Sequence, residues 1–449
     1  MRGRQWGWSG IALALACAFM PAARAAQWEA GDLGEVALNG QATLVGQAKE
    51  RLRSPYASPV SLEPEYERSY SLSATAFMGW RPARDTELFF NPEMVQGLPL
   101  SHLTGLGGLT NGEMQKVGGT SPTFYRARLF ARQTFGLGGG EEQVEADANQ
   151  FARTVDRHRV VITLGNFAVN DVFDDNGVAH DPRTQFLNWS FLTYGAWDFP
   201  ADARGYTGGA AAELVWDDWT LRAGRFRLPK EANGLRLQNN LGADVGDALE
   251  LERRHEVGGR PGALRLLAFR NRTSMGSFQD ALDAWAAAGG AASGTVPEVT
   301  AVRRRQDKRG LGLTVEQELA DDVSGLVRAA RSDGGSEVFA FAEIDASLAA
   351  ALRVGGSYWG RGEDEIGLGL AQNGLSSAHV AYLRAGGLGY FVGDGAIDYA
   401  PERIAEAYYS LGLPGGLSLT FDYQRIVNPA YNRARGPVDV AALRLHAQW

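Results

Sequence analysis

Residues 441–449 read Ala441-Ala442-Leu443-Arg444-Leu445-His446-Ala447-Gln448-Trp449. The odd positions Ala441, Leu443, Leu445, Ala447 and Trp449 are apolar, whereas Arg444, His446 and Gln448 on the other face are polar. Successive side chains of a strand point to opposite faces, so this is a two-faced strand with an aromatic at its end. A soluble sheet would bury the apolar face. A membrane barrel turns it to lipid and keeps a polar lumen. A final strand closing on an aromatic fits the second case. Trp449 is then expected to present this strand to the barrel-assembly machinery of the outer membrane.

The same period of two runs outward from this segment. Between residues 70 and 80 the even positions are Tyr70, Leu72, Ala74, Ala76, Met78 and Trp80. Leu311, Leu313, Val315 and Leu319 alternate with Gly312, Thr314, Glu316 and Glu318. Leu417, Leu419, Phe421 and Tyr423 alternate with Ser418, Thr420 and Asp422. Aromatics often stand at segment ends, where a membrane interface favours amphipathic rings. About seventeen such segments are legible, from 35–47 to 438–449, including 337–348, 351–360 and 364–371. Single-chain bacterial barrels close with an even number of strands, so one segment is surplus or one is missing. The expectation is an all-β, transmembrane antiparallel β-barrel of 16 strands, with 18 as the alternative, and 364–371 as the weakest strand.

Composition agrees. The 449 residues are 45% hydrophobic, which excludes a wholly disordered chain. There is no run of about 18 consecutive apolar residues, so a helical membrane bundle is excluded. Residues 1–25 read as a signal peptide: Arg2 and Arg4, the apolar run Ile11–Met20, then the small-x-small site Ala23-Arg24-Ala25. Residues 26–449 would form the barrel domain. Cleavage removes three arginines and no acid, taking the formal net charge from −8 to −11. It also removes Cys17, the single cysteine, so the exported chain has no disulfide to rely on. The acidic balance argues against nucleic acid as a partner.

Four long connections carry the individuality: 95–123, 136–156, 168–204 and 375–400. Glu141–Arg153 reads as an acidic helical piece, and a short helix is expected within 375–400. Connections of this length are functional or disordered, and their aromatic and glycine content favours ordered insertions partly folded into the lumen. Short turns usually face the periplasm and long loops the exterior, which would place the loops after Gly136 and after Gly276 on the outer surface.

The insertions also carry a resemblance. Gly165-Asn166-Phe167-Ala168-Val169-Asn170-Asp171-Val172-Phe173-Asp174-Asp175-Asn176, then His180-Asp181-Pro182-Arg183-Thr184-Gln185-Phe186-Leu187-Asn188-Trp189, resemble carbohydrate-selective porins of the OprB family. So do residues 195–206, 402–409 and 428–437, and the resemblance extends from about Phe89 to Trp449. It implies a sixteen-stranded barrel in the outer membrane of a Gram-negative bacterium, surrounded by outer-membrane lipid. It further implies passive diffusion of monosaccharides and similar small carbohydrates, such as glucose, without a cofactor.

Sugar passage calls for polar groups that exchange hydrogen bonds with hydroxyls, and for aromatic faces against the pyranose ring. If Tyr125, Ala127, Leu129 and Ala131 face lipid, Arg126, Arg128 and Arg132 form a lumenal stripe. Asn91 and Glu93 would oppose them if Leu88, Phe90 and Met94 face out. The same arginines could instead simply brace the wall through lumenal acids. Trp189 and Trp197 could stack on sugar or pack the insertion. Asp171, Asp174 and Asp175 crowd oxygen ligands suited to calcium, though not with the spacing of the twelve-residue calcium loop. Against an enzyme, there is no Gly-x-Ser-x-Gly elbow and no His-Glu-x-x-His. A non-selective porin and an exporter of acidic polysaccharide, which would want a positive lumen, remain as alternatives.

Overall fold

In a computed structural model, residues 34–395 and 397–449 are described, together with the backbone of 26–29. The signal-peptide expectation for residues 1–25 falls outside the described residues. Sixteen antiparallel strands form the wall. They are β1 (Glu35–Lys49), β2 (Glu67–Ala83), β3 (Thr86–Leu98), β4 (Thr123–Gly136), β5 (Arg159–Phe167), β6 (Thr207–Trp216), β7 (Trp219–Arg227) and β8 (Val245–Val257). They continue as β9 (Arg260–Met275), β10 (Arg304–Ala320), β11 (Val323–Ser332), β12 (Ala346–Gly355), β13 (Glu365–Gly374), β14 (Glu402–Leu413), β15 (Leu417–Val427) and β16 (Val438–Gln448).

Each strand pairs with the next, and β16 returns to β1 with Leu445 opposite Leu44. Closure leaves no strand edge unpaired, the condition for a sheet to survive in lipid. Trp449 completes the seam: its N–H donates to the Gly40 carbonyl at 3.0 Å and its carbonyl accepts from Gly40 at 2.8 Å. A Cβ on Gly40 would lie 2.5 Å from the indole, so the ring needs a glycine beneath it. The segment Ala26–Glu29 pairs with the first residues of β1.

The alternation reads out as lipid against lumen. Leu249, Leu266, Leu311, Leu313, Val327, Leu348, Leu368 and Leu370 are exposed on the outside. Trp80, Trp216 and Trp219 stand near the short-turn end, as an interface girdle requires. The inward face of β6–β10 carries a charge ladder. Arg222 pairs with Glu213, Glu250 and Glu252, and Arg265 with Glu252 and Glu316, at 2.9–3.0 Å.

The surplus segment was not 364–371, which is β13. It was 337–348. Only residues from Ala346 onward join the wall, and residues 333–345 fold into the barrel. Val338, Phe339, Ala340, Phe341, Ala342 and Ile344 are all buried there. This stretch is apolar at successive positions because it is enclosed on every side, so it has no face to alternate.

Residues 141–153 are not helical. Glu141–Val144 and Arg153–Asp156 pair as a separate hairpin. Gly138, Gly139 and Gly140 all have φ between 83° and 94°, a left-handed run that glycine tolerates and a starting helix does not. Phe151 then anchors the hairpin tip against Phe89, with ring centroids 5.9 Å apart. Residues 137–158 follow a strand running the same way as those that lead into the short turns 84–85, 217–218, 258–259 and 321–322. This connection therefore lies at the short-turn end, opposite to residues 276–303, and not on the outer surface as expected. A helix, Ser377–Arg384, does occur within 375–400.

The largest apolar cluster lies inside the barrel. It is built by residues 168–206, which pack Phe173, Phe186, Phe191, Tyr194 and Trp197 against small inward side chains such as Ala211, Ala248, Ala349 and Ala371. A Cβ on Gly312 would come within 2.6 Å of the Tyr194 ring, so the wall is thinned where the insertion presses on it. The cluster plugs this half of the interior beside the charge ladder, and the open cavity lies in the other half.

Candidate functional site

A cavity of about 640 Å³ occupies that other half. Strands β2–β4 form one side. Residues 112–116, 180–184 and 199–206 close it from the long-loop end, Phe341 borders it, and the hairpin tip at 147–150 reaches it from the short-turn end.

One wall is a set of compensated charges. Glu93 is 2% exposed and accepts from Thr75 Oγ1 at 2.7 Å, from Tyr206 OH at 3.2 Å and from Tyr125 OH. Arg183 bridges it to a second buried carboxylate, at 3.2 Å from Glu93 Oε2 and 3.0 Å from Glu113 Oε1. Burial holds the Glu113 carboxyl above its ordinary range, against the pull of Arg183. Arg128 grips Asp171 with both prongs, Nε–Oδ2 2.7 Å and Nη2–Oδ1 2.6 Å, and lies 5.1 Å over the Tyr206 ring. Arg132 donates to the Asn149 carbonyl at 2.9 Å and stands 3.7 Å from Glu87. Asn91 is fully buried and donates to Asn149 Oδ1 at 3.0 Å.

The facing wall is aromatic. Trp189 stacks on Phe341 at 5.3 Å with an interplanar angle of 4°, and Phe341 meets Phe199 at 4.5 Å. Trp189 Nε1 donates to the Asn111 carbonyl at 2.9 Å, which fixes the indole. Lys116 Nζ lies 5.7 Å over the Trp189 ring and donates to the Asn233 amide oxygen and to the Ala340 and Phe341 carbonyls. Asp198 ties residues 339–341 in place from beneath. Its carboxylate accepts the N–H groups of Phe339, Ala340 and Phe341 at 2.7–2.9 Å and pairs with buried Lys308 at 3.1 Å. Burial alone would raise its pKa, but Lys308 and these three donors hold it below the usual carboxylate range.

Arg128, Arg132, Asn91, Glu93 and Trp189 thus meet around one cavity, or directly behind its wall. Arg126 does not. Between Asn91–Arg128 and Pro92–Arg126 the register skips Ala127, a β-bulge. The bulge shifts the alternation by one residue: Phe124 is 78% exposed, Arg126 is exposed beside it, and Tyr125 turns inward instead. Trp197 is fully buried among Phe173, Tyr194, Phe199 and Phe269 and cannot meet a solute. The calcium candidate also dissolves. Asp171 is clasped by Arg128, Asp174 pairs with Arg328 at 2.9 Å, and Asp175 is exposed. No cluster of three or more His, Cys, Asp or Glu among the described residues is arranged to hold a metal ion. Arg183, Arg204 and Tyr206 also line the cavity; the sequence pointed to Arg183 and Arg204 only as partners for the acids at 171–175, although all three stand in the segments quoted for the family resemblance. Sequence reasoning missed Phe341 because 337–348 read as a strand.

A latch lies at the long-loop end. His379, on Ser377–Arg384, is bracketed by Asp345 at 2.9 Å and Glu343 at 3.2 Å, and its ring stacks on Phe278. Burial pulls its pKa down, but the two carboxylates outweigh this and raise it to about 9. A folded-state pKa above the unfolded 6.5 means stability that is complete below about pH 6.5 and is lost as pH rises through about 9. Proteolysis within 375–401 is therefore expected to accelerate between about pH 8 and pH 10. An unchanged rate across that window would remove the latch.

A closed sixteen-strand barrel with a partly filled lumen and a polar interior cavity defines the class: an outer-membrane porin. The family profile described as "Carbohydrate-selective porin, OprB family" matches residues 71–449, and the chain belongs to that family. Among solved structures it is similar to OprB of Pseudomonas putida, with TM-score 0.66 and 14% identity, covering 92% of this chain and 94% of that one. OccK2 of Pseudomonas aeruginosa is a looser likeness, with TM-score 0.45 and 11% identity, covering 92% and 97%. No curated protein matches in sequence.

Proposed function

We propose that this porin passes monosaccharides and similar small neutral carbohydrates, glucose among them, through the cavity beside Trp189 and Arg128. The observation that carries the reading is the pairing of two unlike walls. Trp189, Phe199 and Phe341 border the cavity as a packed aromatic cluster, 4–7% exposed, and give one side of it an apolar surface. The rest of the lining includes Arg128, Arg132 and Arg183, each already paired with a carboxylate. Such groups exchange hydrogen bonds with hydroxyls without demanding a counter-charge from the solute. An exporter of acidic polysaccharide would want uncompensated arginines. Here Arg128, Arg132 and Arg183 each have a carboxylate partner.

The test is single-channel conductance in a planar bilayer, titrated with glucose. Saturable block is expected, and Trp189→Ala should raise the half-blocking concentration about three- to tenfold, the loss of one aromatic contact. Channels indifferent to every sugar would instead establish a non-selective porin. We further propose that export removes residues 1–25, so that the amino-terminal sequence of the outer-membrane protein starts at Ala26. Assembly would proceed through the strand that ends at Trp449.

A further inference from the structure

The outward face of β7–β11 carries charge where lipid would demand none. At the long-loop end Arg225, Asp247, Arg270 and Arg309 lie opposite one another in one cross-strand row. One step further out, Arg272 lies opposite Asp307. The row sits directly above exposed Leu249 and Leu311, the upper edge of the apolar band.

Two acids serve four arginines. Asp247 is shared by Arg225 at 2.7 Å and Arg270 at 2.6 Å, and Asp307 by Arg272 at 3.3 Å and Arg309 at 2.8 Å. The acids lie lower, 20–26% exposed, and Arg225, Arg272 and Arg309 lie above them at 50–68%. Arg331, exposed on the neighbouring strand opposite Leu311, makes no ion pair among the described residues. Asp333, exposed beside Arg331, accepts the Arg309 backbone N–H at 2.8 Å, so five arginines and three aspartates leave a formal excess of +2, on a chain whose formal net charge is −8. Arg270 directly opposes Arg309. Like charges facing each other across a ladder are destabilising unless something anionic lies over them. A carboxylate engages at most two of the five donors of a guanidinium, so the remaining donors point outward.

We propose that this row binds the phosphorylated headgroup of a lipid in the outer leaflet. Phosphate matches the guanidinium fork, supplies the missing negative charge, and brings acyl chains down over Leu249 and Leu311. The row is remote from the cavity, so it works as a lipid collar for the barrel and not as part of the pore.

The test uses the full-length barrel in neutral detergent and three probes: lipid A bearing two phosphates, the same lipid dephosphorylated, and inorganic phosphate. The expected result is a dissociation constant for diphosphorylated lipid A roughly tenfold tighter than for the dephosphorylated lipid. Arg270→Gln with Arg309→Gln should abolish that difference while leaving conductance and glucose block unchanged. If that pair of changes prevents folding, Arg331→Gln carries the test, because its side chain has no ion pair among the described residues to lose; a weakening of about two- to fivefold is expected. Equal affinity for both lipids would overturn the proposal, and so would variants that bind like the parent. Inorganic phosphate displacing the lipid at equal concentration would make this a phosphate site only. Self-association of the parent barrel, lost in the variants without lipid, would make the row an interface between copies.

Discussion

Arg183→Ala is expected to make the channel more conductive and more cation-selective, and to cost about 3–5 kcal/mol of stability, as removal of one partner from a buried ion cluster does. Arg183 alone bridges Glu93 and Glu113, two carboxylates that are 2% and 8% exposed. Without the guanidinium the two carboxylates lose their shared cation, so the wall becomes more negative even though burial pushes the Glu113 carboxyl further toward its neutral form, and the side chain that separated them from the lumen is gone. The reversal potential in a potassium chloride gradient should move in the direction of cations. Arg183→Lys should keep the charge balance but lose the fork that reaches both carboxylates, and so fall between the two. An unaltered reversal potential in the alanine variant would show that these carboxylates do not face the permeation path.

Asp198→Ala should have an effect of similar size by another route. It strips the partner from Lys308, which is 3% exposed, and from the N–H groups of Phe339, Ala340 and Phe341. The buried ammonium keeps only the Glu337 carbonyl at 3.3 Å and three N–H donors are left unpaired, at a cost of about 3–5 kcal/mol. Residues 333–345 would then loosen, and Trp189 would lose the ring stacked against it. Conductance should rise and glucose block should weaken. The effect on block should not add to that of Trp189→Ala, because both changes destroy the same contact. Full additivity would mean that Asp198 acts on the sugar path in some other way.

The parity of the strands was open to inspection, since the first four segments alternate in direction and place residues 137–158 at the short-turn end. Length alone had suggested the opposite. Arg126 was not open in the same way. A single extra residue at Ala127 flips every side chain before it, and nothing in Tyr125-Arg126-Ala127-Arg128 marks the bulge. Trp189 and Trp197 are alike in sequence context. One borders the cavity and one fills the core, because Trp189 meets the inward-folded residues 333–345 while Trp197 is enclosed by Phe173 and Phe269.

By itself, then, the sequence determined a two-faced sheet whose strands can nearly all be read alone, because lipid on one side and lumen on the other impose a period of two along each of them. The number sixteen needed the rule that a single-chain barrel closes evenly, and the membrane setting needed the aromatic last strand and the export signal beside the period. Which arginines face inward, which carboxylates neutralise them, and that 333–345 fills the lumen instead of joining the wall were decided only in the tertiary structure. These features depend on partners brought together from distant parts of the chain, Asp198 with Lys308 and Arg183 with Glu93, and no local pattern encodes such meetings.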